Sequence, residues 1–372
     1  MRINTLFLDG LRGFAALYVL LCHARMFLWE GYSKGFLIHK NEYSIVNKIF
    51  IYLFTAARFG HEVVLLFFVL SGFLIHLKYA RNIANYGSEK FNWSCYLKRR
   101  LKRIYPPFLF SILLTYCLDY IGRLYFPIPY YKVDPNDFSI GNAYDIKTLL
   151  GNLVFLMQAY VDPWGSNTPT WSLKFEWWFY MLYPFILFVN RKSVLYSFGL
   201  VAVLFLFSFF QPLWMPELFK QIFGAIICWW LGAILADVYS KRIRISFGTL
   251  SLFSLLLPFL AVYNLRSTQV YDSLWSVGFM GLISSLFYLK SKGISTNLLD
   301  KMKFLGDFSY TLYIIHFPIL ILLSGVLLKY TKGQYPQHLG YVFIGALLCI
   351  LISYLLHFVV EKPFVQKKSN AT

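Results

Sequence analysis

The sequence predicts an all-α integral membrane protein with about ten transmembrane helices and both termini on the cytoplasmic side. Three observations predict it. First, 58% of the 372 residues are Ala, Val, Ile, Leu, Met, Phe, Trp, Tyr or Cys and only 14% are charged, against about 25% charged in a typical soluble domain. So few charges cannot cover the surface of a soluble fold this long, and the composition equally excludes a disordered chain. Second, apolar stretches of about twenty residues recur, the length that crosses a hydrocarbon layer of about 30 Å. Third, the 35 Lys and Arg against 17 Asp and Glu are unevenly placed along the chain. In a greasy chain such an excess is an orientation signal rather than an affinity for nucleic acid.

The windows follow in order. The first, 7–29, comes directly after the basic N-terminus; it exceeds a signal-peptide core and no small-x-small cleavage pattern follows, so it reads as a retained span. The second, 59–80, and the third, 104–122, flank the most basic part of the chain. Windows 171–190, 193–211 and 218–237 are joined by short connections and interrupted by Pro184, Pro212 and Pro216. The remaining four are 246–264, 273–289, 308–328 and 338–360. With the N-terminus inside, 21 Lys and Arg fall on inner segments, 11 on outer segments and three within spans. The longest connection, 123–170, then lies outside; its apolar part, Thr148 to Tyr160, is too short to span and is expected to be re-entrant or interfacial. Residues 1–372 read as one transmembrane domain, without an internal repeat. The five cysteines show neither disulfide nor zinc spacing, and no metal is expected.

Ionisable groups within spans cost about 2.5–3.5 kcal/mol each on insertion and are functional candidates by default. The first span holds Asp9, Arg12, His23 and Arg25. Arg12 and His23 are eleven residues apart, three turns plus about 20°, which puts them on one helix face about 16 Å apart along the axis. Two readings stay open: Arg12 snorkels to lipid phosphate and His23 bonds a backbone carbonyl, or His23 is chemically active. The basic run Lys98 to Arg103 either marks the inner face or grips phosphate, with Arg100 and Arg103 on one face of a starting helix. Glu176 and Tyr180 form an i, i+4 pair. Glu176 either makes an ion pair with Lys174 or Arg25, or orients or takes a proton from an imidazole. The aromatic density around it is expected to be an interfacial belt. His316 lies mid-span before Pro318, which bends its helix, and suits a structural contact or catalysis equally. Ser71-Gly72 suits close helix packing.

Taken together, these motifs resemble a known set. Leu8-Asp9-Gly10-Leu11-Arg12-Gly13 with His23 resembles the R-x10-H signature of the membrane acyltransferase-three family. Phe67 to Leu74 resembles its second-helix motif, Arg100-x-x-Arg103 its basic motif, and Trp171-Ser172-Leu173-x-x-Glu176-x-x-Phe179-Tyr180 its acidic motif. Ser309-Tyr310-x-Leu312-Tyr313-x-x-His316 and Glu361-Lys362-Pro363-Phe364 resemble its C-terminal elements. Leu65 and Trp177 depart from the family pattern, so the acidic role is carried over to Glu176 alone.

The resemblance implies a multi-pass enzyme of the bacterial inner membrane that moves an acyl group, usually acetyl, from cytoplasmic acetyl-CoA to a hydroxyl of a carbohydrate such as O-antigen, exopolysaccharide or another glycan. On this expectation the CoA phosphates rest on Arg100, Arg103 and Arg12, and the pantetheine arm carries the thioester towards His23. His23, oriented by Glu176 or another polar partner, acts as general base or briefly carries the acyl group. Asp9, Ser71, Tyr180, Tyr310 and His316 support substrate or structure. The expected partners are acyl-CoA, a carbohydrate acceptor and membrane lipid, with no nucleic acid. Only nine residues follow Pro363, so the chain resembles the type without a fused esterase-like domain, whose acceptor arrives directly or through a separate extracytoplasmic protein. The competing readings are a transporter or flippase of a lipid-linked sugar, for which no inverted repeat is seen, and a glycan polymerase, whose arginines would be expected on outer loops.

Overall fold

A computed structural model of the chain describes residues 5–87, 91–126, 144–264 and 268–364. Of the basic residues used for orientation, Arg2, Lys90, Lys132, Arg266, Lys367 and Lys368 lie outside the described residues, as does the middle of the long connection 123–170. Among the described residues the chain is helical, with one isolated bridge between Met157 and Val161 and no strand.

All ten apolar windows coincide with helices: α1 Leu6–Leu28, then, past a short helix α2 Ile45–Thr55, α3 Gly60–Tyr86 and α4 Trp93–Tyr125. A second short helix, α5 Ile146–Leu153, precedes α6 Trp171–Lys192, α7 Val194–Phe210, α8 Glu217–Tyr239, α9 Phe247–Asn264 and α10 Thr268–Ser291. The short α11 Asn297–Lys301 and α12 Lys303–Asp307 lead to α13 Ser309–Tyr330 and α14 Gly340–Val360. Seven of these, α1, α3, α4, α8, α10, α13 and α14, are long and apolar enough to cross a membrane. The windows on α6, α7 and α9 fold as helices without meeting that standard: α6 carries Lys174, Glu176, Arg191 and Lys192, and α7 is only 17 residues long. The chain is a multi-pass membrane protein.

Helix α4 starts eleven residues before its window and runs for 33 residues, about 50 Å at about 1.5 Å per residue. The basic run is therefore its second and third turns, not a loop. Pro106 and Pro107 follow inside the helix and withdraw two backbone donors where the apolar part begins.

The described residues divide into two compact units. One draws on Met1–Ala15, His61–Tyr96 and Ser172–Lys303, and its core holds Trp229, Trp230, Tyr180 and Tyr183. There α3 and α8 touch backbone to backbone: a Cβ on Gly72 would sit 2.0 Å from the Trp229 carbonyl oxygen, and one on Gly232 1.9 Å from that of Val69. Gly10 likewise lies against α11, since a Cβ on it would come within 1.8 Å of the Leu299 carbonyl oxygen. The other unit draws on Ala16–Gly60, Leu97–Trp171 and Phe304–Thr372, and its core holds Phe27, Phe108, Phe155 and His316.

Candidate active site

His316 is 1% exposed, and its Nδ1 lies 2.8 Å from the Tyr313 carbonyl oxygen and 3.1 Å from that of Leu312. Carbonyl oxygens only accept, so Nδ1 carries the hydrogen and neutral His316 presents a bare Nε2. That nitrogen lies 2.9 Å from Nδ1 of His23. His23 therefore donates from Nδ1, and its own Nε2 is left with a lone pair. Among the described residues Nε2 of His23 has no hydrogen-bond partner, and the side chain is half-buried rather than sealed. The rings stack with centroids 5.1 Å apart, and Phe317 meets His23 edge to face at 5.0 Å, fixing the ring plane. A backbone turn thus sets one tautomer, which sets the next.

The segment after α5 packs on the same helix. Asp145 caps α5 by accepting from the Thr148 amide at 2.7 Å, and Asn152 holds the returning chain: its Nδ2 donates to the Asp162 carbonyl at 2.8 Å and its Oδ1 accepts from the Trp164 amide at 3.0 Å. Trp164 Nε1 donates to the Ile112 carbonyl of α4 at 3.1 Å, and Tyr313 Oη donates to the Pro169 carbonyl at 3.1 Å. The apolar part of the long connection, Thr148 to Tyr160, is thus the end of α5 followed by irregular backbone, with Phe155 and Met157 buried and Leu150, Val154 and Tyr160 exposed.

In the other unit, Tyr180 Oη donates to Glu176, Ser71 Oγ lies 3.3 Å from Tyr180 Oη, and Trp229 Nε1 donates to Ser71 Oγ at 3.2 Å. Three donors in series converge on one half-buried carboxylate. The glycine crossing of α3 and α8 is what brings Ser71 this near to Trp229, so the Ser71-Gly72 pair serves packing and hydrogen bonding together. Lys174, 1% exposed, donates to Gln221 Oε1, and in the second unit Arg25 donates to the Phe54 carbonyl at 3.1 Å.

Asp9 and Arg12 are neighbours on α1, 3.8 Å apart, in the unit that holds Ser71, Glu176 and Tyr180. Arg100, Arg103 and Tyr310 belong to the unit of His23 and His316. There Tyr310 Oη donates to the Ile104 carbonyl at 3.1 Å, tying the basic end of α4 to α13. Glu361, just past α14, accepts from Thr311 Oγ1 at 2.6 Å and lies 3.1 Å from His357 Nδ1. Burial pushes its carboxyl up, but the bonds from His357 and Thr311 and the Arg103 charge outweigh burial and hold it below the usual carboxylate range. Among the described residues no two cysteines form a disulfide, and no group of three or more His, Cys, Asp or Glu is placed to hold a metal ion.

Sequence reasoning passed over one polar cluster entirely. His76, fully buried in α3, bonds Tyr183 Oη at 3.0 Å and Asp237 Oδ1 at 3.1 Å. Arg242 donates to the same Asp237 oxygen at 2.6 Å and to the Asn190 carbonyl at 2.7 Å, and Asn190 Nδ2 donates to Asp237 Oδ2 at 3.2 Å. His76 and Asp237 each lay within an apolar window, and an ionisable residue placed there was the available signal.

These residues define a multi-pass helical membrane protein that carries a tautomer-fixed imidazole pair. The family profile described as an acyltransferase domain matches residues 5–358. The chain belongs to this acyltransferase-three family. It is 24% identical over 389 aligned positions to O-acetyltransferase OatA of Staphylococcus aureus strains NCTC 8325 and COL, an alignment covering 98% of this chain and 58% of each relative. It is 25% identical to acyltransferase MdmB of Streptomyces mycarofaciens, covering 96% of this chain and 90% of that protein. The chain thus spans under two thirds of the length of the OatA relatives. No solved structure matches it.

Proposed function

We propose that this protein transfers an acetyl group from cytoplasmic acetyl-CoA to a hydroxyl of a cell-surface carbohydrate, working in the bacterial inner membrane with both termini inside. The observation that carries the reading is the imidazole pair. With His316 Nδ1–H on backbone carbonyls, His23 Nε2 is a lone pair on a half-buried ring, the form a general base needs.

In the proposed reaction His23 Nε2 takes the proton of the acceptor hydroxyl as its oxygen attacks the thioester carbon. A C–O bond forms, the C–S bond breaks, and the departing thiolate recovers the proton from His23. His316 is a positioning residue: it holds the His23 hydrogen on Nδ1 and accepts a fuller share of charge when His23 is doubly protonated. Arg100 and Arg103 supply cations for the CoA phosphates, since guanidinium matches phosphate geometry in bidentate fashion. Glu176, held by Tyr180 with Ser71 behind it, is a further acid–base candidate, and Asp9 keeps Arg12 oriented. The name of OatA supports acetyl transfer to oxygen, and that of MdmB acyl transfer.

The test is radiolabelled acetyl-CoA supplied to vesicles holding the full chain and surface glycan of the source cell. Label is expected on glycan, and mass spectrometry is expected to show the mass step of one acetyl group per modified residue. Glycan that gains no label while unmodified lipid-linked sugar crosses the vesicle wall would overturn the reading in favour of a flippase.

A further inference from the structure

Ser166, Asn167 and Thr168 are 0%, 2% and 8% exposed, and their side-chain oxygens, Ser166 Oγ, Asn167 Oδ1 and Thr168 Oγ1, have no hydrogen-bond partner among the described residues. Buried oxygens without partners are costly, and a run of three in consecutive positions demands an account. Alanine or valine would fill the same space without that cost.

The backbone that carries them is fixed on every side. The Ser166 amide donates to Asp119 Oδ2 at 2.7 Å, and Tyr144 Oη donates to the same oxygen. Gly165 has φ +57°, and a Cβ on it would lie 2.5 Å from Asp119 Oδ2, so only glycine brings the chain this close. Asn167 Nδ2 donates to the Ile314 carbonyl at 2.8 Å and lies 3.3 Å from Thr115 Oγ1. With its donors spent, Oδ1 can only accept. The segment is thereby docked on α13 beside the turn that bears His316, where Tyr313 Oη also meets the Pro169 carbonyl.

We infer that Ser166, Asn167 and Thr168 form a subsite for the hydroxyl-bearing acceptor, a neutral polyhydroxylated sugar ring whose O–H groups donate to these three oxygens. The inference rests on the acyl-transfer reading and adds which residues choose the acceptor. Phosphate or carboxylate would set anionic oxygen against Asn167 Oδ1 and is excluded on charge. The amide N–H groups of a pantetheine arm also donate, but the segment lies in the connection that the Lys and Arg bias assigns to the outer face, whereas acyl-CoA comes from the inner one.

The experiment uses Ser166→Ala and Thr168→Val in the full chain, with oligosaccharide released from the source cell's surface glycan as probe. Neither hydroxyl bonds protein, so both variants are expected to melt no lower than wild type. Each is expected to raise the acceptor KM roughly tenfold with the acetyl-CoA requirement unchanged, and Thr168→Ser is expected to restore the wild-type value. An unchanged acceptor KM with a higher melting temperature would overturn the inference and leave a water-filled or empty polar spot. A raised acetyl-CoA requirement alone would overturn it in favour of the donor's amides. If wild type transfers no acetyl at all, saturation-transfer NMR with the same probe decides separately. Saturation that reaches the sugar from wild type and not from the variants supports the subsite while the acyl-transfer reading falls, and none from wild type overturns both.

Discussion

His76 and His23 are both histidines of apolar helices, and their surroundings could hardly differ more. His76 is enclosed by Tyr183, Asp237, Arg242 and Asn190, with both ring nitrogens bonded and a full counter-charge at hand. His23 bonds one other imidazole, keeps its second nitrogen open and retains some exposure. A buried Asp–Arg pair with three donors on its carboxylate is built to stay as it is. A neutral pair with one lone pair left over is built to take up a proton. Polarity within a span therefore separates into two kinds, and the count of unsatisfied nitrogens tells which is which.

The comparison breaks first at His23. His23→Ala is expected to lower acetyl transfer roughly a thousandfold while leaving thermal melting in detergent near that of wild type; full activity in reconstituted vesicles would remove His23 from the chemistry. The converse substitution lies in the clamp. Asp237→Ala leaves Arg242 without its counter-charge and His76 Nε2 without its partner, and is expected to cost about 3–5 kcal/mol of stability, read as loss of folded protein in size exclusion and a lower melting temperature. A well-folded but inactive Asp237→Ala protein would show that the two sites differ less than their bonding suggests.

Gly232→Ala sharpens the structural side. Its Cβ would press on the Val69 carbonyl, and separating α3 from α8 is expected to cost about 1–3 kcal/mol, again measured by melting. Arg100→Glu should raise the acetyl-CoA requirement roughly tenfold without loss of fold. Arg103→Glu should do the same and also lower stability, because its charge acts on Glu361. An unchanged requirement in Arg100→Glu would reduce that residue to an orientation marker. The smallest effect is on pH. The Glu361 carboxyl is held below its usual range in the folded protein, so it stabilises the fold above the unfolded carboxylate value, and this is lost as pH falls through the folded value. Glu361→Gln is therefore expected to melt lower than wild type near neutrality and to converge with it in acid.

Much of this was legible in the sequence, because apolar length and helical spacing are local properties. Every apolar window is a helix, and Glu176 and Tyr180 do meet at i, i+4. What escaped was long-range. His23 and His316 were each singled out, yet their 293-residue separation hid that they are partners. The same holds for His76, Tyr183 and Asp237, which no spacing rule connects. Residues 161–167 escaped for a different reason: irregular backbone held by Asn152 and Asp119 has no period to read. Window 171–190 is a helix as expected, and its Lys174 and Glu176 help keep it below the apolarity of the seven longest apolar helices.

The crossing of α3 and α8 has a mechanical consequence. At Gly72 and Gly232 no side chains interdigitate, so there is no ridge to climb from one groove to the next, and four to five residues further along both helices His76 is bonded to Asp237. Two fastenings about one turn apart, one steric and one ionic, forbid both sliding and rolling. The two helices have to travel as a single strut, and whatever flexing admits a substrate must be borne by other helices.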